Sequence, residues 1–122
     1  MKKRLTLIQM DVHVNDVEYN YNRVQELLVQ SLSESPDIIV LPETWNTGFY
    51  PSKELINIAD RNGERIKSLL STFAKEHNVN IVGGSVAVAK NDVVFNTSYA
   101  DTRKGELVGE YSKMPGFSPA KE

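Results

Sequence analysis

Two side chains in this sequence combine a reactive group with a setting that could use it. Glu43 follows the run Ile38-Ile39-Val40-Leu41-Pro42. Four consecutive large aliphatics read as a short strand buried on both faces, the habit of parallel strands covered by helices. Pro42 has no N–H to give to the ladder, so the strand stops there and delivers Glu43 to its carboxyl end. Open α/β sheets form their ligand crevices at that end. A carboxylate partly desolvated there suits general acid–base work. Position alone is equally compatible with a solvated glutamate that opens a loop or caps a nearby helix. Lys113 stands in a similar place, closing the strand Leu107-Val108-Gly109-Glu110-Tyr111-Ser112 before Pro115-Gly116 turns the chain away. An ammonium beside a pocket can stabilise developing negative charge, although most lysines simply face water. After Glu43 comes an aromatic-rich loop, Thr44-Trp45-Asn46-Thr47-Gly48-Phe49-Tyr50-Pro51. Trp45, Phe49 and Tyr50 either wall a small-molecule pocket or cover the sheet end with bulk.

The elements that must carry these groups alternate between helix and strand. Arg4 to Val12 reads as a buried first strand through Leu5, Leu7, Ile8, Met10 and Val12. Asn15 as cap with Glu18 three residues on predicts a helix start. Val17, Tyr21, Val24, Leu27, Leu28 and Leu32 mark its inward face, with Asn20 and Asn22 on the wet side. Ser33 to Pro36 ends it, and the strand leading to Glu43 completes a β-α-β unit with parallel strands. Ser52 to Asp60 predicts a short helix and Asn62 to His77 a longer one, with Asn78 in the left-handed closing position. Val79 to Ala89 predicts a third strand, in which Gly83-Gly84 marks a bend or a close backbone approach. Val93 to Asp101 and Leu107 to Lys113 predict two more strands, joined by a turn at Arg103-Lys104-Gly105-Glu106, as an antiparallel meander.

Composition narrows the function classes. A chain of 122 residues, 40% hydrophobic and 25% charged, is an ordinary globular sequence of one domain. A formal charge of −2, with one short basic cluster at Lys2-Lys3-Arg4, argues against a nucleic-acid surface. No apolar run approaches the roughly 20 residues of a membrane span. Gln9 and Asp11 interrupt any signal-length segment, so the expectation is a cytoplasmic protein. There is no cysteine. That excludes disulfides, thiolate metal sites and the strongest side-chain nucleophile. His13 has no second histidine nearby, and His77 is accounted for by the end of a helix. Neither a Gly-x-x-x-x-Gly-Lys nor a Gly-x-Gly-x-x-Gly phosphate loop is present.

Taken in order, five segments resemble the nitrilase, or carbon-nitrogen hydrolase, superfamily. They are Leu5-Thr6-Leu7-Ile8-Gln9-Met10, Ile38 to Glu43, Ile81-Val82-Gly83-Gly84-Ser85, Phe95-Asn96-Thr97-Ser98, and Gly105 to Lys113. Pro42-Glu43-Thr44-Trp45-Asn46 looks most similar to the amidase-like branch that acts on small ω-amides. The resemblance implies an α/β fold, the N-terminal part of an α-β-β-α sandwich. It also implies a Glu-Lys-Cys triad that hydrolyses non-peptide amides or nitriles without metal or organic cofactor. Glu43 matches the family's general base and Lys113 its oxyanion-stabilising lysine.

The sequence departs from the family beyond the lysine, where the nucleophilic cysteine belongs to a strand-to-helix elbow. The chain ends at Glu122, and Met114 to Glu122 lack the family's usual His-Leu/Phe step. Glu122 stands near the place of the family's second glutamate but is terminal. Ser112 and Ser118 have neither an elbow motif nor a histidine partner. The expectation is thus a single, incomplete hydrolase domain over residues 1–122, truncated, inactive alone and self-associating to cover sheet edges and an open face. The alternatives are a non-catalytic interaction or assembly module derived from the same fold, and an unrelated doubly wound domain with a parallel sheet throughout.

Overall fold

The computed structural model describes residues 2–48 and 54–113. In chain order the elements are β1 (Leu5–Leu7), α1 (Val17–Ser31), a 3-10 turn (Leu32–Glu34), β2 (Ile38–Val40), α2 (Leu55–Ile58) and β3 (Asp60–Arg61). They continue with α3 (Glu64–His77), β4 (Asn80–Val82), β5 (Val86–Lys90), β6 (Val93–Asp101) and β7 (Leu107–Lys113).

Local chemistry sets the helix ends. Asp16, not Asn15, caps α1, accepting the Tyr19 N–H at 3.2 Å. Asn15 instead takes a left-handed φ of 61°, and its N–H donates to the Thr47 carbonyl. Glu18 turns away from the cap to bind Arg65. At the start of α3 Gly63 has no side chain to offer, and Asp60 takes over. Its carboxylate accepts the Arg65 and Ile66 N–H groups at 3.1 and 2.7 Å, satisfying donors that a helix start leaves free. Asn78 closes α3 with a φ of 55°, as the sequence predicts.

The seven strands form one mixed sheet in the order β1-β2-β4-β6-β5-β3, with β7 added to β6. β1, β2 and β4 run parallel, Leu5 beside Ile38 beside Asn80. β6 is the hub: β4, β5 and β7 all pair with it antiparallel. An all-parallel doubly wound sheet does not describe this molecule.

Strand alternation gives the sheet two unlike faces. On one, Ile39, Ile81, Val86, Val88 and Tyr99 are buried beneath Tyr21, Val24 and Leu28 of α1 and Ile66, Leu70, Phe73 and Ala74 of α3. On the other, Leu5 and Leu7 are 56% and 64% exposed and Tyr111 is 68% exposed. Ile38 and Val40 are only half-buried. The expectation of a strand buried on both faces is therefore corrected. α1 and α3 pack on the same face, and no described residue builds a layer on the other. The first strand is also shorter than Arg4 to Val12, because the chain leaves the ladder after Leu7. Met10 and Val12 pack against the core from a loop. Among the described residues no helix is long and apolar enough to cross a membrane.

Candidate functional site

Beyond β2 the chain meets a gap in the neighbouring strand. β4 and β5 share one edge of β6, β4 along Ala100–Asp101 and β5 along Val93–Thr97. What the sequence presents as one strand is thus two, parted at Gly83-Gly84-Ser85. Leu41 and Pro42 fill the break. The Leu41 N–H donates to the Val82 carbonyl at 2.9 Å, and the Ser85 N–H donates to the Pro42 carbonyl at 3.2 Å. Gly84 has a φ of +66°, and a Cβ there would overlap the Pro42 carbonyl oxygen. The close backbone approach expected at the glycine pair is realised at this point.

The residues after Glu43 turn inside the protein. Thr44, Trp45, Asn46 and Thr47 are all buried, whereas Glu43 is exposed. Ser85, bonded to Pro42 before the glutamate, also holds the residues after it: its Oγ accepts the Thr44 N–H at 2.8 Å, and its carbonyl accepts the Trp45 N–H at 3.2 Å. The Asn46 side chain pairs with β5 as a neighbouring strand would. Its Nδ2 donates to the Ala87 carbonyl at 3.0 Å, and its Oδ1 accepts the Ala87 N–H at 2.8 Å. Asn20 of α1 then ties this turn to the loop after β1. It donates to the carbonyls of Asn46 and His13 and accepts the His13 N–H, all within 2.8–2.9 Å. Asn20 has no exposed surface, so its assignment to the wet face is corrected. Three backbone partners satisfy its amide and make that burial tolerable.

Trp45 is held in the core. It is fully buried, set edge-on to Tyr21 with ring centroids 4.7 Å apart, and donates from Nε1 to the Gly83 carbonyl at 3.0 Å. A side chain with no exposed surface packs the core rather than walling a pocket, so of the two roles weighed for it, covering the sheet end is the one realised. Phe49 and Tyr50 lie outside the described residues. Glu43 is exposed rather than desolvated as expected, since no described residue covers it.

Lys113, exposed, ends β7. Its backbone partner is Asn96 of β6, whose partner on the other side is Ala87 of β5, the residue clasped by Asn46. A lateral row Asn46–Ala87–Asn96–Lys113 therefore joins the glutamate's turn to the lysine. Two strand spacings put the Ala87 and Lys113 backbones about 10 Å apart. Beside this row, on the core face, Thr97 and Ser112 share a 2.8 Å hydroxyl–hydroxyl hydrogen bond. The buried Asn96 Oδ1 has no hydrogen-bond partner among the described residues.

Behind the turn, between the N-terminal ends of α1 and α3, is a cleft of about 480 Å³ lined in part by Glu18, Tyr21, Asn46, Asp60 and Arg65. Glu18, Tyr21, Asp60 and Arg65 are engaged with one another. Arg65 grips Glu18 with two hydrogen bonds of 2.7 and 3.0 Å and lies 3.9 Å over the Tyr21 ring. The Tyr21 hydroxyl donates to Asp60 at 3.3 Å. Hydrogen bonding to Glu18 raises the Arg65 pKa, and Arg65 lowers that of Glu18. Burial, followed by the Asp60 charge, pushes the Tyr21 hydroxyl far above its ordinary value. Their hydrogen bonds tie the starts of α1 and α3 together. Among the described residues no cluster of three or more His, Cys, Asp or Glu is placed to hold a metal ion.

Residues 4–120 match the model of the carbon-nitrogen hydrolase family. The chain is 38% identical over 117 residues to a 2-oxoglutaramate amidase of Bacillus subtilis, an alignment covering 96% of this chain and 44% of that protein. It is 28% identical over 116 residues to an omega-amidase of Xenopus tropicalis, covering 95% and 41%. Its backbone superposes on an amidase from Nesterenkonia sp. with a TM-score of 0.77 at 18% identity, over 96% of this chain and 44% of that one. The chain thus spans less than half the length of these relatives.

Proposed function

The chain belongs to the carbon-nitrogen hydrolase family, and from that premise we propose that it supplies two of the three groups of an amide-hydrolysing site. Glu43 is the general base and Lys113 the oxyanion donor. The chain contains no cysteine, so the nucleophilic thiol is contributed from outside these 122 residues. In the full reaction Glu43 takes the thiol proton as sulfur attacks the amide carbon, and Lys113 faces the oxyanion that forms. Glu43 returns the proton to the departing nitrogen, then activates the water that cleaves the thioester. The substrate is a small amide, in keeping with the amidases among the relatives. The observation that carries this reading is the lateral row that ties the buried turn beside Glu43 to Lys113.

Without its nucleophile such a site loses about a millionfold in turnover. A purified 122-residue chain should therefore release ammonia from small ω-amides or nitriles no faster than buffer. Turnover that survives repurification would overturn the reading. A second reading, a non-catalytic assembly module, is favoured by the exposed apolar face of the sheet. The two readings part on the DNA beyond codon 122, where an elbow cysteine in any frame supports the hydrolase. We also propose that the chain self-associates, because an exposed apolar face of this kind marks an interaction site. We further propose a cytoplasmic setting without nucleic-acid or membrane partners; the charge balance supports the absence of a nucleic-acid surface.

A further inference from the structure

We propose that Asn96 is a positioning residue for Lys113: its side-chain carbonyl is the acceptor on which the ammonium settles when it turns toward the glutamate. This role rests on the reading of Lys113 as oxyanion donor and adds the group that aims it.

Register puts the two side chains together. Asn96 and Lys113 are direct partners in the antiparallel ladder between β6 and β7. They therefore project from the same face, with Cβ atoms roughly 4.5–5.5 Å apart. Asn96 lies on the glutamate's side of Lys113, between it and Ala87, and Ala87 is the residue clasped by Asn46. A bond to Asn96 thus decides which way the long lysine side chain leans.

The chemistry of the pair is complementary. The Asn96 Oδ1 is buried and has no hydrogen-bond partner among the described residues, a costly state for a carbonyl oxygen. An ammonium carries three donors and no acceptor. Among the described residues no hydrogen bond or ion pair engages that of Lys113. Their neighbours are occupied: the side-chain oxygens of Asn20, Asn46 and Asn80 all accept backbone N–H groups, and Lys90 is held by Glu110 at 3.3 Å. An unfilled acceptor stands opposite an unfilled donor. A neutral amide also orients the ammonium without offsetting its charge, which is what an oxyanion donor needs.

Carbodiimide coupling of the 122-residue chain carrying Asn96→Leu tests the role, with the Lys90–Glu110 link as internal standard. Leucine is close to asparagine in size and offers no acceptor. The Glu43–Lys113 link should fall about fivefold or more against that standard, as loss of a hydrogen bond to a charged group implies. The urea midpoint should equal or exceed the parent's, because a buried unsatisfied acceptor has been removed. Asn96→Asp, which keeps an acceptor, should give a direct link between position 96 and Lys113. An unchanged Glu43–Lys113 link in Asn96→Leu, a link that falls together with the urea midpoint, or no coupling at position 96 in Asn96→Asp overturns the positioning role alone. A parent chain that forms the Lys90–Glu110 link without the Glu43–Lys113 link overturns the two-group site, and this role with it.

Discussion

The turn that presents Glu43 and the strand that ends at Lys113 belong to one sheet but are fastened in different ways. Around the glutamate, Thr44, Trp45, Asn46 and Thr47 are buried, and Ser85, Ala87 and Asn20 bond them from three directions. β7 shows exposed side chains at every position except Gly109. It is attached by its ladder to β6, the Thr97–Ser112 hydroxyl pair and the Lys90–Glu110 ion pair. The acid's backbone is over-determined by packing within this chain, while its side chain is exposed. The lysine's backbone is placed, while its side chain waits on whatever covers the open face. The glutamate's backbone is thus anchored by buried side chains on several sides, the lysine's by its ladder and two side-chain pairs.

The sharpest way to break that contrast is Gly84→Ala. It combines a left-handed φ with overlap on the Pro42 carbonyl, and the expected loss is about 3 kcal/mol or more in urea unfolding. Asn46→Ala removes both bonds to Ala87, and leaving buried backbone groups unpaired should cost about 2–4 kcal/mol. Ser85→Ala keeps the backbone bonds and loses only the hydroxyl acceptor for Thr44, for about 1–2 kcal/mol. On the other side of the comparison, Lys113→Ala should change stability by less than about 0.5 kcal/mol, as exposed substitutions do.

Asp101, buried where β6 meets the irregular start of β7, sharpens the contrast through pH. Burial raises its carboxyl pKa above the ordinary range, so the folded chain keeps this proton to a higher pH than the unfolded one. The stability associated with the neutral form is full below the ordinary carboxylate pKa and is lost as pH rises through the folded value. Asp101→Asn should remove that loss. Thermal melts of the variant should vary less between acid and neutral pH, with a higher midpoint than the parent at neutral pH.

Much of this arrangement is legible in the sequence, because local signals specify it. Pro42 stops a strand, Gly83-Gly84 interrupts another, and alternation marks β6 and β7 at their observed bounds, Val93–Asp101 and Leu107–Lys113. The missed residues share a different property. Asn20, Asn46 and Ser85 are polar, and what buries them is a partner far along the chain, such as Ala87 for Asn46. Residue type sends such side chains to the surface by default. A signal was nevertheless present for Asn20, which falls between Val17 and Tyr21 on the same inward stripe of α1 as Val24. Trp45 stays ambiguous in the sequence for the opposite reason. A large aromatic beside a reactive group invites a pocket, whereas its edge-on contact with Tyr21 and its bond to Gly83 make it core.

Carbodiimide coupling of the 122-residue chain in dilute solution, read by peptide mass spectrometry, asks directly whether the acid and the lysine can meet. Lys90 and Glu110, 3.3 Å apart on exposed surface, provide the internal control. The expected product is a Glu43–Lys113 isopeptide beside the Lys90–Glu110 one, lost in Glu43→Gln. A Lys90–Glu110 link without any Glu43–Lys113 link would place the two groups too far apart to flank one small amide, and would contradict the proposed site.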